Sequence, residues 1–139
     1  MTIVYRATAV AIARRAVVIE GPPGSGKSSL ALALIDRGAV LIGDDGVTLK
    51  QHGGRLLASP PPNIAGLLEV RNLGLLPYPV CSEVPVALVL RLTPDAPRFI
   101  DQARQTVVAD TPLPLIELWP DGPNSALKAE LALQHYGLI

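Results

Sequence analysis

The stretch Gly21-Pro22-Pro23-Gly24-Ser25-Gly26-Lys27-Ser28 spells a complete G-x-x-x-x-G-K-S pattern, the Walker A or P-loop string. Glycines at these positions let the main chain curl until successive N–H groups converge on phosphate oxygens. A helix opening directly after them adds the partial positive charge of its N-terminus. In such a loop Lys27 reaches the β and γ phosphates of a nucleotide, and the Ser28 hydroxyl completes the coordination of Mg²⁺. Pro22, Pro23, Ser25 and Ser29 complete the expected cradle for the nucleotide. The plain alternative is a glycine-rich turn that binds nothing, and the flanking sequence argues against it.

A second group with chemical potential is the doublet Asp44-Asp45. Adjacent side chains point different ways, so the roles should split. One carboxylate would position a metal or its waters, and the other would accept a proton from an attacking hydroxyl. Taken alone, Asp-Asp-Gly is the composition of a solvated turn. Its place one strand beyond the helix that follows the loop makes the functional reading the stronger one.

The elements that must position these groups are legible around them. Residues 3–12 form a partly β-branched apolar run, Arg14 and Arg15 supply a polar turn, and residues 16–19 read as a short buried strand. After the loop the period changes. Leu30, Leu34 and Ile35 fall on one helical face from Ser28 onward, and Gly38 is placed to end the helix. Residues 40–42 are a second short apolar run ending at Gly43, so a parallel β-α-β unit is expected, with the end of its second strand beside the loop.

Further along, residues 47–50 and 55–58 flank Gly53-Gly54 as a hairpin, and 67–71 reads as a strand. Residues 84–92 are the longest β-type segment, with the strand proper expected after Pro85. Strand-like runs recur around Val107 and at 115–118. A last helix is expected over 126–135, capped by Asn124 or Ser125, with Leu127 and Leu131 one turn apart. The fold class that follows is α/β.

Composition narrows the partners. With 139 residues the chain is read as a single domain over 1–139. Its twelve Lys plus Arg balance twelve Asp plus Glu, which leaves no basic footprint for a nucleic acid. One cysteine, Cys81, and two scattered histidines, His52 and His135, offer no zinc spacing and no internal disulfide. His52 reads as a loop residue, His135 as a helix-end charge and Cys81 as an inert thiol. Tyr5 and Arg6 interrupt the first apolar stretch, no run reaches membrane-spanning length, and a cytoplasmic protein is expected. A phosphate loop alone does not choose among phosphoryl-transfer chemistries. The Asn-Lys-x-Asp element of a GTPase is missing, as are the apolar strand ending in Asp-Glu of an AAA-type ATPase and the arginine-rich lid of many small-metabolite kinases.

The order Gly21 to Ser28, then Leu41-Ile42-Gly43-Asp44-Asp45, then Gly66-Leu67-Leu68-Glu69-Val70-Arg71-Asn72-Leu73-Gly74 resembles the catalytic domain of the HPr kinase/phosphorylase family. The likeness is to short forms that lack the additional N-terminal domain of longer members. It implies a P-loop mixed sheet of the HPr kinase and PEP carboxykinase-like type with few helices. It also implies ATP and Mg²⁺ as cofactors, and a serine of the phosphocarrier protein HPr as acceptor in the regulation of carbohydrate metabolism. Many members reverse the reaction with inorganic phosphate, and many assemble as homo-oligomers, often hexamers.

By position, the resemblance makes Lys27 the phosphate-binding lysine and Ser28 a Mg²⁺ ligand. Asp45 becomes the residue that takes the serine proton, with Asp44 its metal-side neighbour. Glu69 matches a second Mg²⁺-associated carboxylate, Arg71 lies in the segment serving both directions, and Arg98 matches an arginine near the transferring phosphate. Two positions depart from the family. Arg6 stands before Ala7-Thr8 where members usually carry histidine, and Ser29 stands where an acidic residue commonly follows the loop serine. An arginine does not exchange protons near neutral pH, so phosphorylase activity is the property these departures touch. Two readings stand beside the protein kinase: a nucleotide-binding regulatory module that has lost catalysis, and a small-molecule kinase using the same loop.

Overall fold

The computed structural model describes residues 2–120 and 122–139. The first apolar run is two strands, β1 (Thr2–Tyr5) and β2 (Thr8–Ile12), because the chain breaks direction at Arg6 and Ala7. They serve different parts of the sheet. β2 turns through Ala13 and Arg14, both at positive φ, into β3 (Arg15–Glu20) and pairs with it antiparallel from Thr8↔Ile19 to Ile12↔Arg15. The glycine-rich loop and α1 (Lys27–Asp36) follow, and the chain returns as β4 (Val40–Gly43).

The expected β-α-β unit is modified here. β3 and β4 point the same way, but β2 lies between them, antiparallel to both. Strand order within the sheet is decided by long-range pairing, and apolar β2 fills the middle position as readily as β4 would.

The hairpin β5 (Val47–His52) and β6 (Arg55–Ser59) turns at Gly53-Gly54, and β1 extends it on its outer side. A short hairpin of β7 (Leu67–Val70) and β8 (Gly74–Pro77) forms a separate two-stranded sheet; the sequence offered only its first strand. β9 (Val84–Leu92) is the centre of the larger sheet. It begins at Val84 with Pro85 inside it, ahead of the expected start. The missing N–H is tolerated because only Val84 and Pro85 pair with β6, and pairing with β3 starts at Val86. The antiparallel pair β10 (Arg104–Val108) and β11 (Thr111–Leu118) then joins through β11, parallel to β9.

The path β1-β5-β6-β9-β3-β2-β4 curls so that the sheet encloses one core and turns its other face to the helices. Alternation sorts the residues. Ala16 and Val18 of β3 join Ala9, Leu49, Leu56 and Val86 inside the curl, while Val17 and Ile19 join Leu30, Leu34, Leu88 and Leu90 beneath α1. α2 (Ser125–Tyr136) packs beside α1 through Ala129, Ala132 and Leu133. Leu127 and Leu131, one turn apart, are 45% and 44% exposed. The smaller alanines face the sheet, where they permit close approach. No helix among the described residues is long and apolar enough to cross a membrane.

Candidate functional site

The loop after β3 is shaped by its glycines. Gly24 (φ +80°) and Gly26 (φ +100°) adopt left-handed conformations that side chains disfavour, and the Ser25 N–H closes a turn onto the Pro22 carbonyl at 3.1 Å. The helical ladder begins at once, with the Leu30 N–H donating to the Gly26 carbonyl at 2.9 Å. Leu30, Ala31 and Leu34 bury the inner face of α1, which fixes its N-terminus against the sheet edge. The N–H groups of that first turn have no partner within the helix, so they are free to receive an anion.

Lys27 folds back over its own loop. Its ammonium donates to the carbonyls of Gly21 at 2.8 Å and Pro22 at 3.2 Å. The Ser25 hydroxyl is buried without a hydrogen-bond partner.

Asp44, at the end of β4, is the hub of the site. Its Oδ1 accepts from the Ser28 hydroxyl at 2.6 Å and the Thr8 hydroxyl at 3.0 Å, and its Oδ2 accepts from the Glu69 N–H at 2.9 Å. One carboxylate therefore ties the start of α1, the start of β2 and the β7 strand together. Asp45 behaves differently. Its main chain turns through φ +57°, its N–H reaches the Thr8 hydroxyl at 3.4 Å, and its carboxylate stands 69% exposed, 3.8 Å from the Arg6 guanidinium. At that exposure the pair is loosely held and water-screened.

These groups border an open cleft of about 530 Å³. Arg6, Lys27 and Arg71 face it as cations and Asp44, Asp45 and Glu69 as carboxylates, with Gly21, Pro23, Gly24, Gly26, Ser28 and Ser29 along the loop side. Arg71 leans to the loop, its guanidinium 3.8 Å from where a Cβ on Gly24 would sit. Glu69 and Arg71 make no ion pair with each other among the described residues.

Not every residue singled out in the sequence is here. Pro22, Ser25 and Arg98 do not line the cleft; the first two belong to the loop, and Arg98 lies exposed on the segment after β9. Thr8 was not foreseen. A threonine opening an apolar strand reads as β-propensity, and only the turn of β4 toward β2 reveals its hydroxyl as a contact for both aspartates. Just behind the loop, Glu20 is held by the Tyr5 hydroxyl and by Arg91, whose Nη2 lies 3.2 Å away. Burial, and then the bond to Glu20, push the Tyr5 phenol pKa upward.

Nucleotide phosphates and Mg²⁺ suit this arrangement. The glycine curl leaves a cradle without side chains, the partnerless Ser25 hydroxyl lies within the loop, and Ser28, Asp44 and Glu69 offer hard oxygen donors at one side. Mg²⁺ usually takes one or two carboxylates together with substrate phosphates and waters. In keeping with that, the described residues contain no cluster of three or more metal-binding side chains able to hold a metal alone.

Residues 2–79 match the family described as HPr Serine kinase C-terminal domain. An HPr kinase/phosphorylase of an Exiguobacterium species is 34% identical over 137 residues, covering 88% of this chain and 44% of the relative. That of Clostridium tetani is 46% identical over 63 residues, covering 45% of this chain and 21% of the relative. The chain thus spans less than half the length of these curated relatives. Among solved structures, the Hpr(Ser) kinase/phosphatase from Coxiella burnetii superimposes with a TM-score of 0.82 at 28% identity, covering 96% of this chain and 90% of that one.

Proposed function

The chain belongs to the HPr Serine kinase C-terminal domain family, and from that premise we propose that it is an ATP- and Mg²⁺-dependent phosphotransferase acting on a serine hydroxyl of a small phosphocarrier protein, HPr or a homologue. The observation that carries this reading is the bond from Ser28 to Asp44 at 2.6 Å, with Asp45 open to the same cleft. A paired hydroxyl and carboxylate with a separate, accessible carboxylate beside one glycine-rich loop support a metal site and a base next to a phosphate cradle.

In this mechanism the loop amides and the start of α1 bind the phosphates, and Lys27 exchanges its two loop carbonyls for phosphate oxygens. Ser28, Asp44 and Glu69 would hold Mg²⁺, which supplies charge neutralisation on the transferring group. Asp44 orients Ser28 while Thr8 and the Glu69 N–H fix Asp44 in turn. Asp45 accepts the proton of the attacking serine hydroxyl, and Arg71 offers positive charge across the cleft. The whole chain acts as one kinase unit in the cytoplasm, with neither nucleic acid nor membrane as partner, and it assembles as a homo-oligomer.

A second reading has its own support. Arg6 stands beside Asp45 where its relatives' resemblance leads one to expect histidine, and a fixed cation there holds the base without relaying a proton. On that reading the domain binds nucleotide and regulates without transfer. Purified protein with γ-labelled ATP, Mg²⁺ and purified HPr separates the possibilities. Label on HPr is the expected result. ATP binding without transfer supports the regulatory module, and label only on metabolites supports a small-molecule kinase.

A further inference from the structure

β3, β9 and β11 run parallel as neighbours, so their C-terminal ends, at Glu20, Leu92 and Leu118, lie on one edge of the sheet. In open α/β sheets ligands collect outside such an edge. The glycine-rich loop leaves the first of these strands, and the charged cleft lies on its β4 side. The other side of the loop is bordered by the segment leaving β11. A Cβ on Gly26 would come within 3.4 Å of the Pro120 carbonyl, so this segment abuts the loop directly.

The residue before Pro120 is Trp119, the chain's one tryptophan. Its indole N–H donates to the Ala96 carbonyl at 2.9 Å, which fixes the ring, yet the residue remains 48% exposed. The Lys128 ammonium stands 5.7 Å from the ring centroid. The other well-exposed apolar ring is Phe99, 79% exposed on the segment after β9. Tyr5 is engaged by Glu20, Tyr78 and Tyr136 pack against the core beneath the helices, and no aromatic side chain lines the charged cleft. Two strand spacings separate β3 from β11, about 10 Å, a stretch that the phosphates and ribose of a nucleotide can bridge.

We infer that Trp119 is the platform on which the nucleobase of the bound nucleoside triphosphate stacks, with the triphosphate crossing the loop so that its transferring end faces Asp44 and Asp45. A fixed, half-open indole next to a phosphate cradle suits a flat heteroaromatic ring, and the neighbouring ammonium suits the anionic chain attached to it. The inference rests on the nucleotide-binding reading above and adds to it the direction in which the nucleotide lies.

Because the chain has one tryptophan, its emission reports on this site in the unaltered protein. Titration with Mg²⁺ and a non-hydrolysable ATP analogue should quench Trp119, whereas Mg²⁺ and tripolyphosphate should bind without quenching. By calorimetry Trp119→Leu should weaken the ATP analogue about tenfold and leave tripolyphosphate unchanged, and Trp119→Phe should recover most of the loss. Equal analogue affinity in the unaltered protein and Trp119→Leu, with silent emission, overturns the platform and leaves the phosphate loop standing. Emission that responds to protein concentration and not to nucleotide overturns it too, by showing a second copy on the ring. If neither ligand binds, the nucleotide-binding reading itself fails and the platform falls with it.

Discussion

Asp44 and Asp45 are chemically identical neighbours, yet their surroundings differ. Asp44 accepts three hydrogen bonds, from Ser28, Thr8 and the Glu69 N–H. An asparagine is neutral and has one acceptor oxygen, so in Asp44→Asn either the amide faces the Glu69 N–H or the Ser28 and Thr8 hydroxyls must turn to accept from it, at a cost of about 1–3 kcal/mol. Weaker binding of Mg²⁺ with nucleotide, read by calorimetry, is the expected outcome. Asp45→Asn should leave nucleotide affinity near that of the parent while transfer falls by about 10²–10⁴, the usual contribution of a general base. Unchanged transfer would remove Asp45 from the mechanism. Arg6 offers a complementary test. With arginine the charge beside Asp45 is constant, so transfer should show no histidine-like inflection. In Arg6→His the imidazole is cationic below about pH 6.5 and neutral above it. That variant should track the parent at low pH and diverge as pH rises, in a rate profile from pH 5.5 to 8.5. Thr8 was beyond sequence reasoning, since its contacts depend on which strand lies beside β4, whereas a split of roles within the doublet was expected from the opposite directions of adjacent side chains. The loop itself was legible because its glycines, lysine and serine act on the residues next to them in the chain.

At the scale of elements, the site is a meeting of ends: the close of β3, the start of α1, the start of β2 and the close of β4. Helix α1 and the strands flanking it could be read from period and glycine placement, both local properties. The insertion of β2 between β3 and β4, the second strand of the β7–β8 hairpin and the outward turn of Leu127 and Leu131 could not. The first and last are set by partners far away in sequence. β8, by contrast, pairs with its immediate neighbour β7 but is only Gly-Leu-Leu-Pro, too short to show alternation, and Leu73 and Leu75 stay exposed despite their apolar character. Gly43 illustrates how tightly the ends fit. A Cβ there would press on the Gly46 carbonyl, come within 2.9 Å of Val47 Cγ1 and lie 3.1 Å from Pro61 Cδ. Most of these obstacles belong to main chain or to a rigid ring, so relief requires moving the turn that carries Asp44 and Asp45. Gly43→Ala should therefore cost about 1–3 kcal/mol in chemical denaturation, the range for overpacking. It should also lower transfer by more than the lost stability accounts for. A variant that is destabilised yet fully active at low temperature would separate the turn from the site.

Across the molecule, Glu20 joins the two arms of the curled sheet at the point where the glycine-rich loop departs. Tyr5 reaches it from β1, which belongs to the outer arm through β5, while Arg91 reaches it from β9 at the centre. Burial, followed by the bond to Glu20, favours the neutral phenol and raises the Tyr5 pKa above the ordinary 10.0. The direction of the linkage follows from proton counts. Above about pH 10 the unfolded chain releases the Tyr5 proton while the folded one keeps it, so the folded state holds more protons and stability falls as pH rises. The contribution is complete below the unfolded value and disappears as pH climbs through the folded one. Tyr5→Phe removes both the bond and the titration. It should be less stable than the parent near neutral pH, and the difference should shrink between pH 9 and 11 in denaturant midpoints taken at fixed ionic strength. Every group other than Tyr5 is common to both proteins and cancels in the difference. A gap that stays constant over that range would show that the phenol does not clasp Glu20 in solution. The seating of β1 on the sheet would then rest on apolar packing by Ile3 and Tyr5 and on its pairing with β5.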